Sequence, residues 1–168
     1  MIVLGIDPGT ATTGWGIIKC EKGFDPKPIA YGYISTGAEH PFPRRLNRIH
    51  DELTKIITEF KPSDIAIEEL FFAKNVKTAI KVGHARGVML LTAEKAGVAV
   101  YEYTPLQIKQ AIVGYGRAEK NQVQYMVTKL LNLKKTPKPD DTADALAVAL
   151  CHNNMQKWNK RRQGMNEK

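Results

Sequence analysis

The first ten residues constrain the fold most. Ile2-Val3-Leu4-Gly5-Ile6 is an almost unbroken apolar run, which suits a strand covered on both faces. Asp7 ends the run, and Pro8-Gly9 cannot extend a ladder and forces a turn. Gly14-Trp15-Gly16-Ile17-Ile18 follows at hairpin distance, so the chain is expected to fold straight back. A carboxylate at the mouth of a buried strand is held rigidly and can face a cleft. The same residue type also serves simply to open a turn, and this segment alone does not separate the two roles.

Ala30 to Thr36 reads as a third strand after turn chemistry over Lys22 to Pro28, giving a three-stranded antiparallel meander. A helix then carries Leu46, Ile49, Leu53, Ile56, Ile57 and Phe60 on one stripe, with Arg44, Arg45, Arg48 and Lys55 on a face expected to be solvated. Lys61-Pro62 stops it. Ile65-Ala66-Ile67 is a short buried strand with Glu68 and Glu69 where it ends, and the preceding helix is the crossover that a parallel strand requires.

A loop over Phe71 to Asn75 leads to a helix from about Val76 to Ala96, in which Ala79, Gly83 and Gly87 recur every four residues. Glycine in a helix interior costs about 1 kcal/mol relative to alanine. The flat stripe therefore implies close approach, either of a second copy's helix or of the domain's own sheet. Val98 to Tyr103 is a fifth strand, and Thr104-Pro105 caps and opens a short helix to about Val113. A basic loop, Gly114 to Arg117, precedes a helix with Val123, Met126, Val127, Leu130 and Leu131 on one face. After Pro137-Lys138-Pro139 a last helix is expected from about Asp140 to near His152. The pattern is a mixed α/β sheet with helices on its faces. One domain over residues 1–155 is expected, followed by a basic, disordered tail over 156–168.

The 168-residue chain has a formal net charge of +8, which favours a polyanionic partner, most simply nucleic acid. No stretch is apolar enough to span a bilayer, and the N-terminus has no signal-peptide pattern. Cys20 and Cys151 lack metal-ligand spacing, so reduced thiols in the cytoplasm are expected.

Carboxylates stand at element ends in three places: Asp7, Glu68-Glu69, and the segment Asp140-Asp141-Thr142-Ala143-Asp144. Asp141 and Asp144 share one helical face. If the first and fourth strands are neighbours, about 4.8 Å apart, Asp7 and Glu68 converge, and the last helix can bring its acids to them. Clustered carboxylates stay ionised only if a cation neutralises them. Oxygen-only ligands suit Mg²⁺ or Mn²⁺. An acidic, metal-loaded cleft on a basic protein fits hydrolysis of a phosphodiester.

Gly5-Ile6-Asp7-Pro8-Gly9-Thr10, Ala66-Ile67-Glu68, Phe71, Ala73-Lys74-Asn75, Ala85-Arg86-Gly87, Ala118-Glu119-Lys120 and Ala143-Asp144-Ala145-Leu146-Ala147 together resemble the RuvC family. These are the bacterial Holliday-junction resolvases, or crossover junction endodeoxyribonucleases. The resemblance implies a ribonuclease-H-like fold, a homodimer, and Mg²⁺-dependent paired nicking of four-way DNA junctions in recombination and repair, with Mn²⁺ able to substitute. RuvA and RuvB are the implied partners. By position, Asp7, Glu68, Asp141 and Asp144 match the catalytic, metal-holding acids. Phe71, Lys109 and Lys120 match DNA-binding positions. Glu69 falls where the family pattern requires no acid, and Asp140 is expected to cap the helix that Asp141 and Asp144 serve.

Three rival readings remain at this point. A nuclease of the same fold acting on RNA–DNA hybrids or pre-ribosomal RNA would share the metal chemistry. An actin-like phosphotransferase would need a second such domain, for which the chain is too short. A DNA-binding module without catalysis would have no use for the Asp7 and Glu68 carboxylates.

Overall fold

The computed structural model describes residues 1–69 and 76–166. Strands β1 (Ile2–Asp7), β2 (Thr12–Lys19) and β3 (Lys27–Ser35) form the expected meander. Helix α1 (Phe42–Phe60) crosses to β4 (Asp64–Glu68), which lies parallel to β1. Helix α2 (Val76–Lys95) then leads to β5 (Ala99–Tyr103), parallel to β4. The sheet order is β3-β2-β1-β4-β5, as the ribonuclease-H-like expectation requires. Helices α3 (Pro105–Val113), α4 (Lys120–Leu130) and α5 (Asp140–Asn166) complete the chain.

Alternation along β1 divides the core in two. Leu4 and Ile6 pack with Ile49, Leu53 and Met89 of α1 and α2, while Val3 lies in a second cluster with α3, α4 and α5. Helices thus cover both faces, which explains why β1 carries almost no polar residue. Element ends follow local chemistry. Lys61 takes a left-handed conformation and donates its N–H to the Ile57 carbonyl at 2.9 Å, closing α1 before Pro62. Thr104 and Gln107 form a reciprocal capping box on α3, with proline at its start.

Several details differ from the sequence expectations. Strand β3 begins at Lys27, earlier than Ala30, with a register shift opposite Ile17/Ile18. Arg45 is not on a freely solvated face: its Nε donates to Thr36 Oγ1 at 3.0 Å and its terminal nitrogen to the Thr10 carbonyl at 2.8 Å. It ties α1 to the loop after Asp7. Leu130 is exposed while Val123, Val127 and Leu131 are buried. Helix α5 runs on to Asn166, past the expected end near His152 and through most of the tail expected to be disordered. No proline interrupts residues 153–166, and Met, Gln, Lys and Arg are good helix formers. Gly87 of α2 faces open space, so the domain's own sheet is not what approaches it.

Candidate active site

The parallel register of β1 and β4 pairs Ile6 with Ile67, so the next residues, Asp7 and Glu68, end side by side. Each carboxyl shifts the other's protonation, and the form favoured for Asp7 in that burial is the neutral one. Burial pushes the Asp7 carboxyl up to about 9, helped by the negative charges of Glu68, Asp144 and Asp141. Glu68 is also raised, chiefly by burial, with the bond to Asp7 and the charges of Lys120 and Lys109 pulling the other way.

The helix acids reach this pair because the sheet has a flat landing strip. Gly14 lies beside Asp7 in the β1–β2 ladder, and a Cβ there would overlap the Asp141 carbonyl of α5. A Cβ on Gly5 would meet the α5 backbone at Ala145 and Ala149, and one on Gly16 would meet Leu146. Ala145, Leu146, Ala147, Val148, Ala149 and Leu150 are all buried. The buried Thr142 donates its hydroxyl to the Gly32 carbonyl at 3.2 Å, fixing the first turn of α5 across to β3.

Asp144 meets a lysine rather than the strand acids. Lys120, at the start of α4, places Nζ 2.8 Å from Asp144 Oδ2 and 3.7 Å from Asp140 Oδ2. Burial raises the Asp144 carboxyl, and the Lys120 contact opposes that rise. Asp140 forms no side-chain cap in the described contacts; its Oδ1 takes Lys138 Nζ at 2.7 Å. A cleft of about 210 Å³ opens between these groups, lined by Glu68, Lys109, Lys120 and Asp144 over Ile108 and Ala147. The fold therefore gathers Asp7, Glu68, Asp144, Lys109 and Lys120 at one end of the sheet, with Asp141 adjoining. Phe71 lies outside the described residues.

Residues 3–152 match the family described as Crossover junction endodeoxyribonuclease RuvC. The chain belongs to the RuvC family. It is 57% identical over 154 residues to the RuvC of Ruminiclostridium cellulolyticum, covering 92% of each chain. It is 59% identical over 152 residues to that of Alkaliphilus oremlandii, covering 90% of this chain and 92% of the relative. Among solved structures, Thermus thermophilus RuvC superposes with a TM-score of 0.87 at 38% identity, covering 95% of this chain and 97% of the other. The same protein in complex with a Holliday junction substrate gives 0.86 at 37% identity, covering 94% and 96%. A yeast mitochondrial Holliday junction resolvase, at 15% identity and a TM-score of 0.71 over 97% of this chain and 83% of the other, shares the ribonuclease-H-like fold.

Two features of this RuvC-family site escaped the sequence reading. The glycines at 5, 14 and 16 were legible only as gaps in apolar strands, although their placement on one sheet face is a signal for a close-lying helix. Midway along α5, His152 is fully buried, with Nδ1 2.7 Å from the Tyr103 hydroxyl and Nε2 3.5 Å from Asp64 Oδ2. Burial lowers its pKa against the pull of Asp64. A lone histidine late in an apolar helix gave no sign of that pairing.

Proposed function

We propose that this chain acts as a homodimeric endonuclease that resolves four-way (Holliday) DNA junctions by paired symmetric nicks, in homologous recombination and DNA repair. In this reading Asp7, Glu68, Asp141 and Asp144 are the catalytic acids and hold Mg²⁺, with Mn²⁺ able to substitute. The observation that carries it is the convergence of Asp7 and Glu68 at the ends of adjacent strands, beside a cleft lined by Glu68 and Asp144.

The residues fit a divalent cation on chemical grounds. The donors are hard carboxylate oxygens, and the proton that Asp7 holds marks a place where added positive charge is favoured. Among the described residues no three acids form a ready-made metal cluster; Asp144 is turned onto Lys120 instead. Bound there, the cation supplies activation of water and stabilisation of the leaving oxygen of a phosphodiester. As ligands Asp7 and Glu68 would be ionised, so cation binding would release the proton that Asp7 holds and would strengthen as pH rises. Lys109 and Lys120 line the cleft and can hold the phosphate flanking the cut. Phe71 is assigned to stacking on a junction base, a contact worth about 1–3 kcal/mol.

A second copy is supported by α2, where Val76, Ile80 and Leu91 are 69, 56 and 59% exposed and Gly87 faces open space. RuvA and RuvB are the proposed protein partners. The proposed location is the cytoplasm; among the described residues no helix is long and apolar enough to cross a membrane.

Incubation with a synthetic mobile four-way junction, with and without Mg²⁺, tests the reading against linear duplex and RNA–DNA hybrid. Paired nicks confined to the junction and to the metal-containing reaction are expected. Preferential cutting of the hybrid would assign the fold to a different substrate. Tight junction binding with no nicking in Mg²⁺ would reduce the protein to a binding module.

A further inference from the structure

Lys120 stands between two carboxylates that are not equivalent. Its Nζ is in direct contact with Asp144 Oδ2 at 2.8 Å and lies 3.7 Å from Asp140 Oδ2. Lys138 meanwhile holds the other oxygen of Asp140, Oδ1, at 2.7 Å. Asp140 is thereby anchored through one oxygen, with its second oxygen within 4 Å of the Lys120 ammonium. Asp144 is the more enclosed of the two acids, its side chain 25% exposed against 43% for Asp140.

We propose that Asp140 is a positioning residue that takes over Lys120 when Asp144 turns to a divalent cation. The inference rests on the reading of Asp144 as a metal ligand. A dication on Asp144 weakens the hold of the ammonium on the same carboxylate, because the two positive charges repel. Lys120 then shifts, and the other carboxylate within ion-pair reach of its ammonium is that of Asp140, at 3.7 Å. Reaching it takes a single side-chain adjustment. The transfer frees Asp144 while keeping the ammonium at the cleft wall, where a substrate phosphate can engage it. Without Asp140, Lys120 has Asp144 as its remaining acid partner among the described ion pairs, and a cation has to compete against that pair directly.

The test is Mn²⁺ binding to the full-length, DNA-free protein, measured by calorimetry in the wild type, Asp140→Asn, Lys120→Gln and the double variant. Lys120→Gln is expected to tighten binding, since it removes the competitor for Asp144. Asp140→Asn is expected to weaken binding about three- to tenfold when Lys120 is present, and less than about twofold in the Lys120→Gln background, as coupled neighbours behave in a double-mutant cycle. An equal loss in both backgrounds would make Asp140 just one more negative charge and overturn the proposal, as would no loss in either. Asp144→Asn separates this result from the reading beneath it. If that variant binds Mn²⁺ as tightly as the wild type, Asp144 is not a ligand and the metal-site reading itself fails there.

Discussion

At the ends of β1 and β4 two carboxyls lie side by side and burial favours the neutral form of Asp7, whereas at the start of α5 the carboxylates of Asp140 and Asp144 are held by lysines. The strand acids end adjacent strands, Asp7 after Ile6 and Glu68 after Ile67, and burial favours the protonated form of both. The helix acids face the cleft, where the long side chains of α4 and of the segment before α5 can reach them. One site is thus neutralised by a proton and the other by ammonium groups. On the proposed reading a divalent cation displaces both, and the cost of each displacement depends differently on pH.

The largest expected effect falls on the strand acids. Asp7→Asn should reduce junction nicking by at least about 10²–10³-fold, the scale of losing a key electrostatic group, while junction binding persists or tightens as a charge facing phosphate is removed. In the metal-free protein the same variant should melt higher than wild type near pH 8, because an amide needs no raised pKa to remain neutral in that burial. Parallel loss of binding and nicking in folded protein would break the assignment.

Next in size is the landing strip that brings the two sites together. A Cβ at Gly14 meets the backbone of Asp141, which cannot rotate away as a side-chain tip could. Gly14→Ala should shift the first turn of α5 and cost about 1–3 kcal/mol of stability. Nicking by the folded fraction should fall about a hundredfold, as expected for misplacement by about 1 Å. Full single-turnover nicking in the variant would show that α5 need not lie so close.

Some of this was legible in the sequence and some was not, for reasons that differ by residue. The meander, the crossover to β4 and the capping box at Thr104 rest on local periodicity and turn chemistry, which a sequence carries directly. Asp7 and Glu68 were legible because each follows a buried apolar run, and strand adjacency did the rest. Arg45 was misread because helical periodicity sorts faces by polarity and cannot see Thr10 and Thr36 brought over from the β1–β2 and β3 loops. Asp140 was read as a cap from its position at the helix start, whereas its ion partners come from residues 138 and 120. The pairing of Lys120 with Asp144 joins two helices, and no local spacing announces it.

The pH dependence of metal-free stability sharpens the contrast further. Asp7 is raised from an ordinary value of 3.8 to about 9, so over that interval the native state keeps a proton that the unfolded chain has released. Stability contributed by this group is complete below about pH 4 and is lost as pH rises through about 9. The melting temperature in EDTA should therefore decline across this window, and saturating Mg²⁺ should flatten or reverse the decline. A metal-free melting temperature that climbs steadily from pH 5 to 9 would contradict a neutral Asp7 in the native state.

The smallest effect is expected from the helix acid, and it bears most directly on the difference between the two sites. Burial raises Asp144 as it raises Asp7, but Lys120 opposes the rise. Asp144→Asn relieves the burial of a charge and at the same time strips Lys120 of its 2.8 Å partner. The two changes act in opposite directions, so the metal-free melting temperature should move less than it does for Asp7→Asn. Asp140 remains 3.7 Å from the ammonium, so adding Lys120→Gln to Asp144→Asn should recover only a small part of the gain. Thermal melts of these variants in EDTA at pH 8 decide the matter. If Asp144→Asn alone stabilises the protein as much as Asp7→Asn does, the lysine contributes nothing at this site, and the two sets of acids are neutralised in the same way.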